Sequence, residues 1–62
     1  MFSNEQIEIL SEYTDNLDVV ESISYYDYTT KLNSKQVSQI LDDYHAIWFH
    51  DDPGKLYLVA KK

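Results

Sequence analysis

With 62 residues and a mass of 7.3 kDa, the chain is long enough for a single domain, which excludes multi-domain enzymes. It contains no cysteine, so disulfides, thiolate zinc sites and iron–sulfur ligation are excluded. The formal net charge is −6 and there is no arginine, which argues against direct nucleic-acid binding because that needs a cationic footprint.

The first predicted element is a helix over residues 3–14. Ser3 and Gln6 form a capping box, in which the Ser3 hydroxyl accepts from the backbone N–H of Gln6 and the Gln6 side chain reaches back. Phe2 and Ile7 occupy the hydrophobic staple positions on either side. These signals predict an amphipathic helix with a well-defined start.

The second predicted element is a strand over residues 17–30, which are rich in β-branched and aromatic types. In a strand, Val19, Glu21 and Ile23 share one face. A carboxylate between two apolar residues does not suit a buried face. The pattern therefore predicts an edge strand, or a segment whose side chains face a partner.

A second helix is predicted over residues 33–44. Asn33 and Gln36 are spaced as a second capping box. The helix carries one apolar stripe at helical spacing, which we expect to pack on a sheet. The stripe consists of Val37, Ile40, Leu41 and Tyr44.

The remaining residues predict a β-hairpin with strands at 45–50 and 55–60. In the turn between them, Pro53 fixes φ and Gly54 is expected to supply a positive φ. The element order α-β-α-β-β predicts an α+β fold for the single domain 1–62, with two helices packed on a small antiparallel sheet.

No residue pattern predicts an enzyme, a metal site or a cofactor. His45 and His50 have an odd spacing, so in a strand they point to opposite faces and do not share an ion. No serine lies in a Gly-x-Ser-x-Gly elbow. A chain of this length also has little room for a pocket that excludes water. The six tyrosines suit either cross-strand packing or an interface.

The charge is unevenly distributed along the chain. Residues 1–30 carry seven acidic residues and no base, whereas residues 31–62 carry four acids and five lysines. A solvated acidic surface is one interpretation. The other is a negative face directed at a positive partner, such as a protein that normally holds DNA.

The acidic segment also carries a motif. Glu21-Ser22-Ile23 follows Val19-Val20 and lies between the two predicted helices. In this respect the chain resembles the phage-encoded uracil-DNA glycosylase inhibitors, which carry Glu-Ser-Ile on their first strand. The apolar stripe of the second helix is similar to the family's Val-x-x-Val-Ile pattern. The connection between the strand and the second helix is longer here, and fewer strands are predicted.

The resemblance implies a function by DNA mimicry. In the family, the Glu-Ser-Ile strand edge enters the DNA-binding groove of the enzyme in place of the phosphate backbone. An apolar pocket between the second helix and the sheet receives the side chain with which the glycosylase probes the minor groove. The strand residues implied are Val20, Glu21, Ser22, Ile23 and Ser24. The pocket residues implied are Val37, Ile40, Leu41, Ile47, Phe49 and Leu58, which would otherwise form a plain core.

The expected partner is therefore the uracil-DNA glycosylase of a bacterial host, in whose cytoplasm the protein would act without a cofactor. The sequence has no apolar run of membrane-spanning length and no signal-peptide pattern, so we expect no membrane association. Three strands per chain would allow two free copies to complete one sheet as a homodimer. Two alternatives are an acidic phage or mobile-element protein that blocks a restriction or CRISPR nuclease, and a small hydrolase or metal-dependent enzyme.

Overall fold

The computed structural model describes residues 2–61 and confirms the α+β fold, with helices packed on a three-stranded antiparallel sheet. The sequence order differs from the predicted one by a short additional helix after the first strand. The elements are α1 (Asn4–Ser11), a 3-10 turn (Leu17–Val19), β1 (Glu21–Ser24), α2 (Tyr25–Thr30), α3 (Ser34–Asp43), β2 (Tyr44–Trp48) and β3 (Lys55–Ala60).

Both predicted capping boxes are confirmed. The Ser3 Oγ accepts from the backbone N–H of Gln6 at 3.2 Å, and the Gln6 Oε1 accepts from the N–H of Ser3 at 3.0 Å. At the start of α3, Asn33 and Gln36 exchange the equivalent bonds at 2.8 and 3.0 Å. Each box satisfies donors that a helix N-terminus leaves without an intrahelical partner, so each helix begins where the sequence predicts.

The prediction of one continuous strand over residues 17–30 is wrong, because only Glu21–Ser24 is extended. The segment before it forms a 3-10 turn, in which the Asn16 side chain accepts from the N–H of Asp18 at 3.1 Å. This local side-chain bond competes with strand pairing.

The segment after β1 turns at once into α2. The Ser24 Oγ accepts from the N–H of Asp27 at 3.0 Å, which is the N-cap bond of this helix. Lys31 forms an ion pair with Asp27 across one turn, with 3.3 Å between Nζ and Oδ1. A cap and a helical ion pair therefore prevail over the β-propensity of the tyrosines and threonines.

The sheet has the order β1-β3-β2, with both neighbouring pairs antiparallel. β3 is the central strand, and its residue Leu58 has Glu21 on one side and Ala46 on the other. β2 and β3 form the predicted hairpin, with β2 confined to Tyr44–Trp48. Within residues 2–61, β1 and β2 each leave one edge of the sheet unpaired.

The hairpin turn differs from the prediction in its backbone conformation. Gly54 does not have a positive φ, so the expected role of this glycine is wrong. The turn is closed by backbone bonds from Asp52 N–H to Phe49 O at 3.2 Å and from Lys55 N–H to Asp52 O at 3.4 Å. The carbonyl of Gly54 instead accepts from the N–H of Tyr25 at 2.9 Å, which joins the turn to the start of α2.

The main core lies between α1 and one face of the sheet. Leu10 and Val59 are fully buried there, and Ile47 and Phe49 are buried beside them. The register places Leu56 and Leu58 on the opposite face of the sheet, where each is 7% exposed. α2 contacts β1 and β3, and α3 contacts β2.

None of the helices within residues 2–61 has the length and apolar character that would let it cross a membrane.

Candidate partner-binding surface

β1 presents a free sheet edge. The bond from Tyr25 N–H to Gly54 O continues the β1–β3 ladder, so the alternation of antiparallel pairs gives Glu21 and Ile23 the hydrogen-bonded positions facing β3. The N–H and C=O of Ser22, between them, consequently point away from β3. This edge therefore offers a backbone donor and a backbone acceptor to a partner.

The five predicted strand residues lie together at this edge. Glu21, Ser22 and Ser24 are exposed, while Val20 and Ile23 are partly buried. The edge position predicted from the carboxylate is confirmed by the strand order. Val20 lies just before β1 and packs against the main core, so it anchors the strand.

The chain that leads into β1 is acidic. Every acidic residue from Glu5 to Glu21 is exposed, and the single ion pair of the described residues joins Asp27 and Lys31 in α2. Lys55 is the one base in register with β1, and it lies opposite Ser24, at the far end of the strand from Glu21. The Glu21 carboxylate is therefore open to a cation from outside.

The six predicted pocket residues do not line one pocket. Ile47 and Phe49 belong to the core on the α1 side, at 8% and 3% exposure. Leu58 lies on the other face, because it pairs with Ala46 while Ile47 pairs with Tyr57. The sheet thus separates these side chains, a consequence of strand alternation that depends on the hairpin register.

The three predicted pocket residues on α3 lie on a lightly covered helix. Val37 and Ile40 are partly buried, and Leu41 is 42% exposed. An open depression of about 320 Å³ includes Ile40 from this set. Its apolar lining is completed by Leu32 and Tyr44, which the prediction of the pocket did not include.

A second set of exposed residues was not predicted. Trp48 is 51% exposed, its ring stacks on Tyr25 with centroids 5.8 Å apart and planes 13° apart, and its Nε1 donates to the Pro53 carbonyl at 3.3 Å. The sequence did carry a signal for it, since Trp48 lies between the buried residues Ile47 and Phe49. Alternation along a strand places it on the other face.

The hairpin turn also holds a polar network. The Tyr57 hydroxyl donates to Asp52 Oδ2 at 2.7 Å. This hydrogen bond, together with burial and the charges of Asp52 and Asp51, raises the pKa of Tyr57 to about 12. Gln6 donates through Nε2 to Asp51 Oδ1 at 3.3 Å, so the turn is tied to α1. The network orders the turn and connects it to α1.

Chemically, the β1 edge and its neighbours offer hydrogen-bonding groups, a negative charge and aromatic rings. Among residues 2–61, no group of three or more histidine or carboxylate side chains is arranged to hold a metal ion. What converges instead is a backbone edge, an exposed carboxylate, a serine hydroxyl and exposed aromatic rings. No family model, curated protein or solved structure matches the chain.

Proposed function

We propose that the protein is an inhibitor that occupies the DNA-binding groove of a uracil-DNA glycosylase in place of DNA. The observation that supports this most directly is the free edge of β1, where Glu21 and Ser22 are exposed. The choice of glycosylase rests on the resemblance of Glu21-Ser22-Ile23 to the inhibitor family.

In this proposal the β1 edge substitutes for a phosphate backbone. The groove of a DNA-binding enzyme presents cations and hydrogen-bond donors spaced for phosphate oxygens. The Glu21 carboxylate accepts from those donors as a charged acceptor, and the Ser22 hydroxyl and carbonyl add two neutral acceptors. The acids that precede β1 attract the enzyme at longer range.

The apolar part of the contact is placed on α3. The six-residue pocket between helix and sheet is replaced in this proposal by the depression beside Ile40, with Leu32 and Tyr44 as its other apolar walls. An aliphatic probe side chain from the enzyme would fill this depression and remove its apolar surface from water.

The proposed site of action is the cytoplasm of an infected bacterium, where the target enzyme works. A restriction or CRISPR nuclease remains the alternative target, because the exposed acids from Glu5 to Glu21 suit any cationic groove. Inhibition assays with both enzyme classes separate the two targets.

The test compares two charge-matched variants in a uracil-excision assay on a labelled oligonucleotide. We expect Glu21→Ala to weaken inhibition by about 2–5 kcal/mol, the range for truncating one partner of a desolvated charge pair. Glu8→Ala removes the same charge from the exposed face of α1 and should change affinity little. Equal inhibition by the two variants would contradict the mimicry. So would a glycosylase that binds this protein and a uracil-containing duplex at the same time.

A further inference from the structure

The outer side of β2 is the second free edge of the sheet. The bond from Lys61 N–H to Asp43 O continues the ladder between β2 and β3, so the alternation of antiparallel pairs gives His45 and Ile47 the hydrogen-bonded positions facing β3. The residues between and beside these two therefore direct their backbone groups away from β3.

Four backbone groups on this edge are free. The N–H and C=O of Ala46 and of Trp48 point outward, and none of them has a hydrogen-bond partner among residues 2–61. The N–H of Tyr44 also lies on this side, but it donates to Ile40 O at the end of α3. Ala46 is exposed and Trp48 is 51% exposed, so this part of the edge is accessible to another strand.

The β2 edge also differs from the β1 edge in charge. Residues 44–50 contain no acid, no lysine and no proline, although charged residues and proline commonly protect a free edge from pairing. Residues 1–30, which include β1, carry seven acids and no base. Two copies of a chain with a net charge of −6 repel each other least where each carries the least charge. A second copy is therefore better accommodated at β2 than at β1.

We infer that two copies of the chain pair antiparallel through β2 and form one six-stranded sheet. A two-fold axis at Ile47 places Ala46 of one copy opposite Trp48 of the other, and these two residues exchange both backbone bonds. This register uses all four free groups of each copy. An axis at Ala46 would instead place Trp48 opposite Tyr44, whose N–H is already bonded within its own chain.

The side chains suit the same register. Ala46 and Trp48 lie on one face of the sheet, so a small side chain lies beside a large exposed one at both symmetric positions. Both strands are uncharged, so pairing buries no unpaired charge. The contact is small, and we expect a weak, reversible dimer. β1 stays free at both outer edges of the sheet, so the inference does not depend on the proposed function.

Sedimentation equilibrium of the intact protein tests the dimer. From about 1 μM to about 1 mM, the range in which weak complexes dissociate, the average mass should rise from 7.3 kDa toward twice that value. Added salt should strengthen the association, because Asp43 and Asp51, the acids nearest the paired stretch, repel their counterparts less when they are screened. A chain that remains monomeric over the whole range overturns the inference.

Ala46→Lys tests which edge pairs. It reduces the net negative charge but places a lysine on the β2 edge of both copies, so the dissociation constant should rise by about tenfold or more. Ser22→Lys is the matched control, since it makes the same charge change on the β1 edge and should leave the association unchanged. An unaffected Ala46→Lys dimer, or equal weakening by the two variants, overturns the assignment to β2.

Hydrogen exchange of the wild type gives a result that does not depend on whether a variant folds. The amide protons of Ala46 and Trp48 should exchange slowly in the dimer and fast in dilute solution, whereas that of Ser22 should exchange fast in both. Equal exchange of Ala46 and Ser22 in the dimer would reject the β2 edge. Uracil-excision assays run in parallel separate the two proposals: inhibition by a chain that stays monomeric rejects only the dimer, and a dimer without inhibition rejects only the proposed function.

Discussion

The two longer helices begin with the same kind of cap but differ in what they bury. α1 contributes Leu10, which is fully buried against the sheet, and Gln6, which is 9% exposed. α3 is longer, yet none of its residues is buried, and Leu41 is 42% exposed. A capping box determines where a helix begins, whereas the burial of its side chains determines how much the helix stabilises the fold. We therefore expect α1 to carry stability and α3 to be tolerant of change.

The largest loss of stability is expected in α1, the helix with buried side chains. Leu10→Ala removes a fully buried side chain and should cost about 2–5 kcal/mol. A domain of this length has about 3–9 kcal/mol in total, so the variant should be close to unfolding. Urea denaturation followed by circular dichroism measures the loss. Leu41→Ala on α3 is the control, and a loss equal to that of Leu10→Ala would overturn the contrast between the helices.

The two capping boxes have a glutamine at the same helix position, so the stability effects of replacing it can be compared directly. Gln6→Ala removes a box partner that also donates to Asp51, and should cost about 1–2 kcal/mol because these bonds are partly buried. Gln36→Ala removes an exposed box bond and should cost about 0.5 kcal/mol. Thermal melting of both variants provides the measurement. A Gln36→Ala variant that melts lower than Gln6→Ala would contradict the expectation.

At alkaline pH a smaller loss of stability is expected from Tyr57, on the sheet face that packs against α1. The bond to Asp52, together with burial and the charges of Asp52 and Asp51, raises the pKa of Tyr57 to about 12, above the value of about 10 expected in the unfolded chain. The protonated phenol therefore stabilises the fold fully below pH ~10, and this contribution is lost as the pH rises from ~10 to ~12. The free energy of unfolding of the wild type should fall more steeply over this range than that of Tyr57→Phe. Parallel slopes would show that the bond does not couple protonation to folding.

The smallest effect on stability is expected on α3. Ile40→Phe adds volume beside an open depression, so the ring can occupy free space, and the melting temperature should change little. Inhibition should nevertheless fall, because the same space is proposed to receive the enzyme's side chain. Val59→Phe, in the fully buried core, should instead cost about 1–3 kcal/mol. A destabilised Ile40→Phe variant whose folded fraction inhibits fully would reject the depression as a contact.

Features that depend on neighbouring residues could be predicted from the sequence. Features that depend on pairing between strands far apart in the chain were predicted wrongly. The capping boxes at Ser3 and Asn33 and the edge position of Glu21 follow from neighbouring residues, and all three were predicted. The Ser24 cap also depends on nearby residues, but it was not predicted because the β-propensity of the tyrosines favoured a strand. Ile47 and Leu58 were assigned to one pocket because only the register between β2 and β3 shows that they lie on opposite faces.

The order of the strands has a consequence for how the molecule folds. β2 and β3 are joined by a short turn, whereas β1 pairs with β3 only after the chain between Ser24 and Lys55 has closed on itself. Closing a longer loop costs more entropy, so we expect the hairpin to nucleate first and β1 to add later. Until then one side of β3 is open, and nascent chains would be most prone to aggregation in that interval. The edge proposed for binding would thus be the last part of the sheet to be assembled.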